Sequence, residues 1–201
     1  MRHKGVQKEE TRRKVTESVS RGFRKHGYAG IGIDKLAKDA GVTSGAFYAH
    51  FGSKNGAFEV ALNLGLDEVI EAIPRFQHES GAAWVQAFVD YYLGQPHIKD
   101  LECGCAMASL TPEVVRSDAE FHAIYETKMV RIAGLIAQGL LEATDTQNAR
   151  GRAWALLSLL TGGLNMVRAM NSPEAADELI EALKPTALAV AGPARAVTKQ
   201  R

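Results

Sequence analysis

Hydrophobic positions recur at three- and four-residue intervals along most of the chain, which is the period of a helix with one buried face. From Glu9 to His26 the stripe is Val15, Val19, Gly22 and Phe23, and Gly27 follows as a stop. Ile33, Leu36, Ala37 and Ala40 then fall on one face of a short helix that Gly41 ends. Thr43 is a good N-cap for the next helix, which runs to about Phe51. Gly52 breaks that helix, and Ser53 caps a fourth that extends from Lys54 to about Ile73, where Pro74 intervenes. Two short helices joined by a turn carrying glycine make the helix-turn-helix pattern. Beyond it the periodicity predicts helices over about Ser80–Leu93, Gly104–Leu110, Ser117–Glu142, Thr146–Met170 and Pro173–Ala191. The closing "AGPARAVTKQR", residues 191–201, reads as a frayed tail. No strand-like alternation interrupts these segments. The predicted fold class is all-α, with a helix-turn-helix head followed by a helical body.

Charge changes this picture. Residues 1–55 hold 12 Lys/Arg against 5 Asp/Glu, a net +7, whereas residues 56–201 hold 12 against 18, a net −6. A basic head on an acidic body predicts that the head alone meets a polyanion. The chain of 201 residues is long enough to bury a real core in one or two domains. Its longest uncharged run, residues 153–167 between Arg152 and Arg168, falls short of the roughly 20 residues a membrane span needs. "MRHKGVQKEETRRK" has no apolar stretch behind its charges, so no secretory signal is expected. Cys103 and Cys105, the two cysteines, do not make a disulfide scaffold. The expected compartment is the cytoplasm, and no membrane partner is expected.

The stretch "GVTSGAFYAHFGSK", residues 41–54, joins small polar residues to aromatics. A helix lying in the DNA major groove, about 12 Å wide, must let its backbone come close. Ser44, Gly45 and Ala46 are small and sit at the helix N-terminus, where unpaired N–H groups and the dipole favour phosphate. Thr43, Ser44, Tyr48 and His50 carry groups that hydrogen-bond to phosphate or base edges. Phe47 and Phe51, four apart, are expected to face the core of the head. Lys54 opens the following helix, where its charge is expected to meet the DNA backbone.

These residues carry a resemblance. "IDKLAKDAGVTSGAFYAHFGSKNGAFEVAL", preceded by "GFRKHGYAGIGI", resembles the DNA-binding head of TetR-type (tetracycline-repressor-like) transcriptional regulators over about residues 9–62. Carried over by position, the resemblance implies DNA contacts from Thr43, Ser44, Gly45, Ala46, Tyr48, Ala49, His50 and Lys54. Tyr48, His50 and Lys54 are expected to position phosphates, leaving base readout to Ser44, Ala46 and Ala49. No Arg, Asn or Gln stands on this helix, so readout is expected to lean on methyl contacts, helix fit and DNA shape. Two departures concern capping. Gly30, Ile31 and Gly32 stand where relatives carry Thr or Ser, and Gly56 stands where they carry an acid.

The same resemblance implies a DNA-binding domain over residues 1–55, continuing into a linking helix to about residue 73, and an effector-binding and dimerisation domain over 56–201. The homodimer is expected through about residues 147–190, where Gly162 and Gly163 suggest close helix approach or a kink. The implied activity is repression from a near-palindromic double-stranded operator, relieved by a small apolar or aromatic effector, with the protein on the nucleoid when bound. Candidate pocket residues are Trp84, Phe88, Tyr91, Tyr92, Met107, Phe121, Tyr125, Met129, Trp154 and Met166, all of which also suit plain core.

"LECGCAMASL" allows a further version, in which Cys103 or Cys105 senses electrophiles or oxidants, although two small packed residues suffice to explain the pair. Asp118, His122 and Glu126 lie four apart but suit a solvated ion-pair face, so no metal and no cofactor is expected. No phosphate loop, dinucleotide fingerprint or nucleophile elbow is present, which speaks against an enzyme. A non-specific architectural DNA binder is the remaining alternative.

Overall fold

A computed structural model describes residues 2–144 and 147–193 of the chain. The tail beyond residue 193 and the expected start of a helix at Thr146 lie outside the described residues. All regular elements among the described residues are helices: α1 (Arg2–His26), α2 (Ile33–Asp39), α3 (Ser44–Phe51), α4 (Lys54–Ser80), α5 (Trp84–Tyr92), α6 (Gln95–Lys99), α7 (Ala106–Val114), α8 (Ala119–Ala143), α9 (Ala149–Ala169) and α10 (Pro173–Ala191). None of them is long and apolar enough to cross a membrane. The chain forms two compact units. One comprises the residues up to Asp67 with Leu101–Tyr125, and the other Glu68–Asp100 with the residues from Glu126 onward.

In the first unit the predicted stripe of α1 is buried: Val15, Val19 and Phe23 are closed to solvent, as are Leu36 and Ala37 of α2 and Phe47 of α3. A Cβ on Gly22 would stand 2.7 Å from Leu36, so glycine there lets α2 lie directly on α1. Phe23, Tyr28 and Phe58 form an aromatic cluster, with Phe58 edge-on to both other rings at 5.4 and 5.3 Å between centroids. α7 packs against α1 through its preceding loop. The Arg24 guanidinium donates to the carbonyls of Cys103 and Gly104 at 3.4 and 3.2 Å, and Lys25 pairs with Glu102 at 2.6 Å.

Several helix boundaries differ from expectation. α4 does not stop before Pro74 but continues to Ser80. Proline in a helix removes one backbone bond and costs about 3 kcal/mol. Pro74 is exposed, and the turns around it are held by buried Ile70 and Ile73 and by Gln77, which donates to the Leu135 carbonyl at 2.9 Å. α7 begins two residues later than expected and runs through Pro112 to Val114. "GQP" does not merely end α5, because Gly94 precedes a further turn, α6, with proline in its first turn where no N–H is needed.

The second unit packs α5 against α9 and α10. Trp84 is buried and donates its indole N–H to the Gly139 carbonyl at 3.3 Å. Tyr92 and Thr161 share a hydrogen bond at 3.3 Å, and Lys184 pairs with Asp90 at 2.8 Å. The two mid-helix glycines separate in role. A Cβ on Gly163 would stand 2.5 Å from Leu183, so this glycine admits α10 of the same chain. A Cβ on Gly162 would meet nothing within 4 Å.

His97 is buried between the rings of Tyr91 and Tyr92, each 4.9 Å from its own centroid, with Nδ1 2.8 Å from the Tyr92 carbonyl oxygen. Burial holds its pKa below the ordinary 6.5. The Tyr92 carbonyl and Asp100 oppose this, and the nearby Arg168 charge adds to it. The unfolded chain therefore takes up this proton first as pH falls. The stability contributed by neutral His97 is full above about pH 6.5 and is lost as pH drops below it. Thermal melts between pH 7.5 and 5 should show a steeper loss for the parent chain than for His97→Gln. Parallel curves would refute the role of His97.

Candidate nucleic-acid interface

α3 is framed by Gly41 and Gly52, whose φ angles of +69° and +71° lie where a side chain is strained. They turn the chain on either side of an eight-residue helix. The Thr43 hydroxyl caps that helix by accepting the Ala46 N–H at 3.2 Å. Ser44 donates to the Asp34 carboxylate at 2.7 Å, which ties the start of α3 to α2. On the inner side Phe47 is fully buried and its ring lies 4.9 Å from that of Phe51.

The outer side is what the sequence singled out. Thr43, Gly45, Tyr48 and Ala49 are exposed, and Ser44, Ala46, His50 and Lys54 are half-exposed. Tyr48 leaves 50% of its surface in solvent, unusual for an aromatic on so short a helix and suited to a sugar-phosphate contact. Lys54 opens α4 with its ammonium 4.4 Å from the centre of the Tyr28 ring, and the Tyr28 hydroxyl bonds Asn55. Ser53 caps α4 by accepting the Gly56 N–H at 3.0 Å, so the cap forms without the acidic partner that Gly56 replaces. Gly32 precedes α2 with no side-chain cap, as its composition predicts. Sequence reasoning did not foresee Asp34, whose carboxylate sits against Ser44 on the same surface.

The ten pocket candidates divide between the units. Met107, Phe121 and Tyr125 lie in the first, and the other seven in the second. Trp84, Phe88 and Tyr92 are buried in a row of rings 6.3 and 5.7 Å apart. Tyr91, half of it exposed, touches the Phe76 and His97 rings. Met129 is buried in α8. Trp154 and Met166 stand exposed on α9, with Arg150 over the Trp154 ring. Met107 is buried, and Tyr125 bonds Thr111 at 2.8 Å, with burial first among the causes holding its phenol above the ordinary pKa. Phe121 lines a cleft of about 390 Å³ in the first unit, and Trp84 lines one of about 240 Å³ in the second. A larger cavity in the second unit, about 770 Å³, is walled by Val85, Gln86, Thr144, Leu188 and several alanines, none of them among the ten. A search for large side chains misses such a space because cavities open where side chains are small.

Cys103 is exposed, and Cys105 is buried at the N-cap position of α7. Among the described residues no cluster of His, Cys, Asp and Glu is arranged to hold a metal.

Residues 20–61, which contain α2 and α3 and the flanking helix ends, match the family model for bacterial regulatory proteins of the tetR family. The chain is 26% identical over 90 residues to the HTH-type transcriptional repressor SCO4008 of Streptomyces coelicolor, covering 45% of this chain and 46% of that one, so it spans about half the length of that relative. It is 26% identical over 171 residues to the HTH-type transcriptional regulator LmrA of Bacillus subtilis, covering 75% of this chain and 87% of that one. Its fold is similar to that of a TetR-family transcriptional regulator from Cytophaga hutchinsonii, with a TM-score of 0.75 at 16% identity over 90% of this chain and 94% of that one. The matched motif, with its capped and outward-facing α3, makes residues 20–61 similar to the DNA-binding head of bacterial regulatory proteins of the tetR family, and the chain shares the all-helical fold of solved TetR-family regulators.

Proposed function

We propose that the protein is a repressor that binds a near-palindromic operator as a homodimer and releases it when a small apolar or aromatic effector binds. The family acts through DNA binding and not through catalysis. The observation that carries the reading is α3, a helix pinned from inside by buried Phe47 and presenting small residues and Tyr48 to solvent. Residues 1–55, with their net +7 charge, are the DNA-binding domain in this reading, and residues 56–201 serve effector binding and dimerisation. The site of action is the bacterial cytoplasm, on the nucleoid when bound.

Two recognition helices must stand about 34–36 Å apart to enter successive major grooves, which requires a second copy. Support for pairing through about residues 147–190 comes from α9. Trp154, Met166 and Met170 are 36%, 53% and 39% exposed, and Gly162 faces open space on the same helix. Gly162→Trp should fold normally, because a Cβ at this exposed position meets nothing within 4 Å in its own chain, and should sediment as a monomer. A dimer of unchanged strength would place the interface elsewhere. One observation favours a cysteine-responsive version of the same regulator: exposed Cys103 lies in the loop whose carbonyls Arg24 of α1 holds.

The test of the main reading is capture of sheared genomic DNA by the purified protein, followed by sequencing. Enrichment of one or a few near-palindromes is expected. Uniform recovery with a steep salt dependence would identify an architectural binder instead.

A further inference from the structure

We propose that the cleft of about 390 Å³ in the first unit is a binding site for a small organic cation with a flat apolar body. Its volume lies within the range of small-molecule sites. Its floor is the buried pair Phe58 and Phe121, with ring centroids 5.3 Å apart, and Tyr28 stands edge-on to Phe58 at 5.3 Å. Aromatic faces attract cations more strongly once water is excluded.

The rim supplies the charge. Glu113 and Asp118 both line the cleft, and among the described residues neither carboxylate has an ion-pair partner. Glu113 is half-buried, and its Oε1 fills the space beside Gly27, 2.6 Å from where a Cβ would stand. A half-buried carboxylate with no cation has lost hydration without compensation. Arg116, the cation among the lining residues, instead donates to the Pro112 carbonyl at 2.8 Å. The lining thus carries two negative groups to one positive group over an aromatic floor, which favours a cation and disfavours an anion.

The site adjoins the proposed DNA contacts. Tyr28 forms one wall, bonds Asn55 through its hydroxyl, and carries the Lys54 ammonium 4.4 Å from its ring centre. A cation bound there adds positive charge beside Lys54 and alters how that side chain is held. This consequence for DNA rests on the proposed repressor reading, whereas binding itself does not.

The experiment is calorimetric titration of the full chain, without DNA, with benzyltrimethylammonium, benzyl alcohol and benzoate. The cation should bind at least about tenfold more tightly than either comparator, the scale of a partly desolvated cation–π contact with a carboxylate beside it. Glu113→Gln/Asp118→Asn should weaken cation binding by about tenfold or more while leaving benzyl alcohol unchanged. Asp118→Asn alone, at an exposed position, gives a variant whose folding is not at risk and should weaken it by a smaller factor. Equal affinity for the three probes, no binding at millimolar concentration, or indifference to the carboxamide variants would overturn the proposal. A chain that binds the cation yet captures no operator keeps this site and loses the repressor reading. The reverse result loses the site alone.

Discussion

Ala46→Glu is expected to lower affinity for the captured operator by at least about a hundredfold while leaving the melting temperature close to that of the parent. Ala46 is half-exposed in the first turn of α3, and its N–H is engaged by the Thr43 cap. A carboxylate in a first turn suits the helix dipole, so the folded head should tolerate it. Against DNA the sign reverses. A unit charge about 4 Å from a phosphate costs about 4 kcal/mol at an effective dielectric near 20, and each 1.4 kcal/mol is a factor of ten in affinity. Fluorescence anisotropy with the operator fragment, at fixed salt, measures the loss, and a thermal melt checks the fold. Unchanged affinity in a normally folded variant would show that α3 is not the surface that meets DNA.

Phe47→Ala should abolish DNA binding by a different route. Phe47 is fully buried beneath α3, against Phe51 at 4.9 Å. Truncating a buried phenylalanine costs about 3–5 kcal/mol, a large share of the stability of a small domain. The expected result is a lowered unfolding midpoint in denaturant and early hydrogen exchange at α2 and α3. Phe47→Leu, closer in volume, should cost less than about 1.5 kcal/mol and retain most DNA binding. If the alanine variant lost under about 1 kcal/mol, packing through Phe47 would not be what fixes α3. The two variants separate contact from support: one loses affinity at constant stability, and the other loses stability first.

Much of the first unit was legible because its signals are local. The stripe Val15, Val19, Phe23, the cap at Thr43 and the glycines at 41 and 52 act within a turn or two of chain, and the structure places each where its chemistry predicts. Pro74 was misread because a proline weighs heavily in its own neighbourhood, while the bond from Gln77 to Leu135 that helps hold the helix past it joins residues 58 positions apart. α6 was missed for a related reason. Arg168 donates to the carbonyls of His97, Ile98 and Asp100 at 2.9, 3.0 and 2.9 Å, closing a five-residue helix too short to stand alone.

The cavities were the least legible feature. The 770 Å³ space lies among alanines, and the 390 Å³ cleft brings Tyr28 and Asn55 together with Glu113 and Phe121 from far along the chain. By itself the sequence determined the helical period, the caps and stops of the recognition helix, the basic charge of the head and the family motif, because each depends on neighbouring residues or on summed charge. Tertiary structure alone decided which glycine admits α10, which aromatics are buried or exposed, and where carboxylates gather over an aromatic floor. Those outcomes depend on which distant side chains fill a given space, and side-chain packing is set by the whole fold and not by local order along the chain.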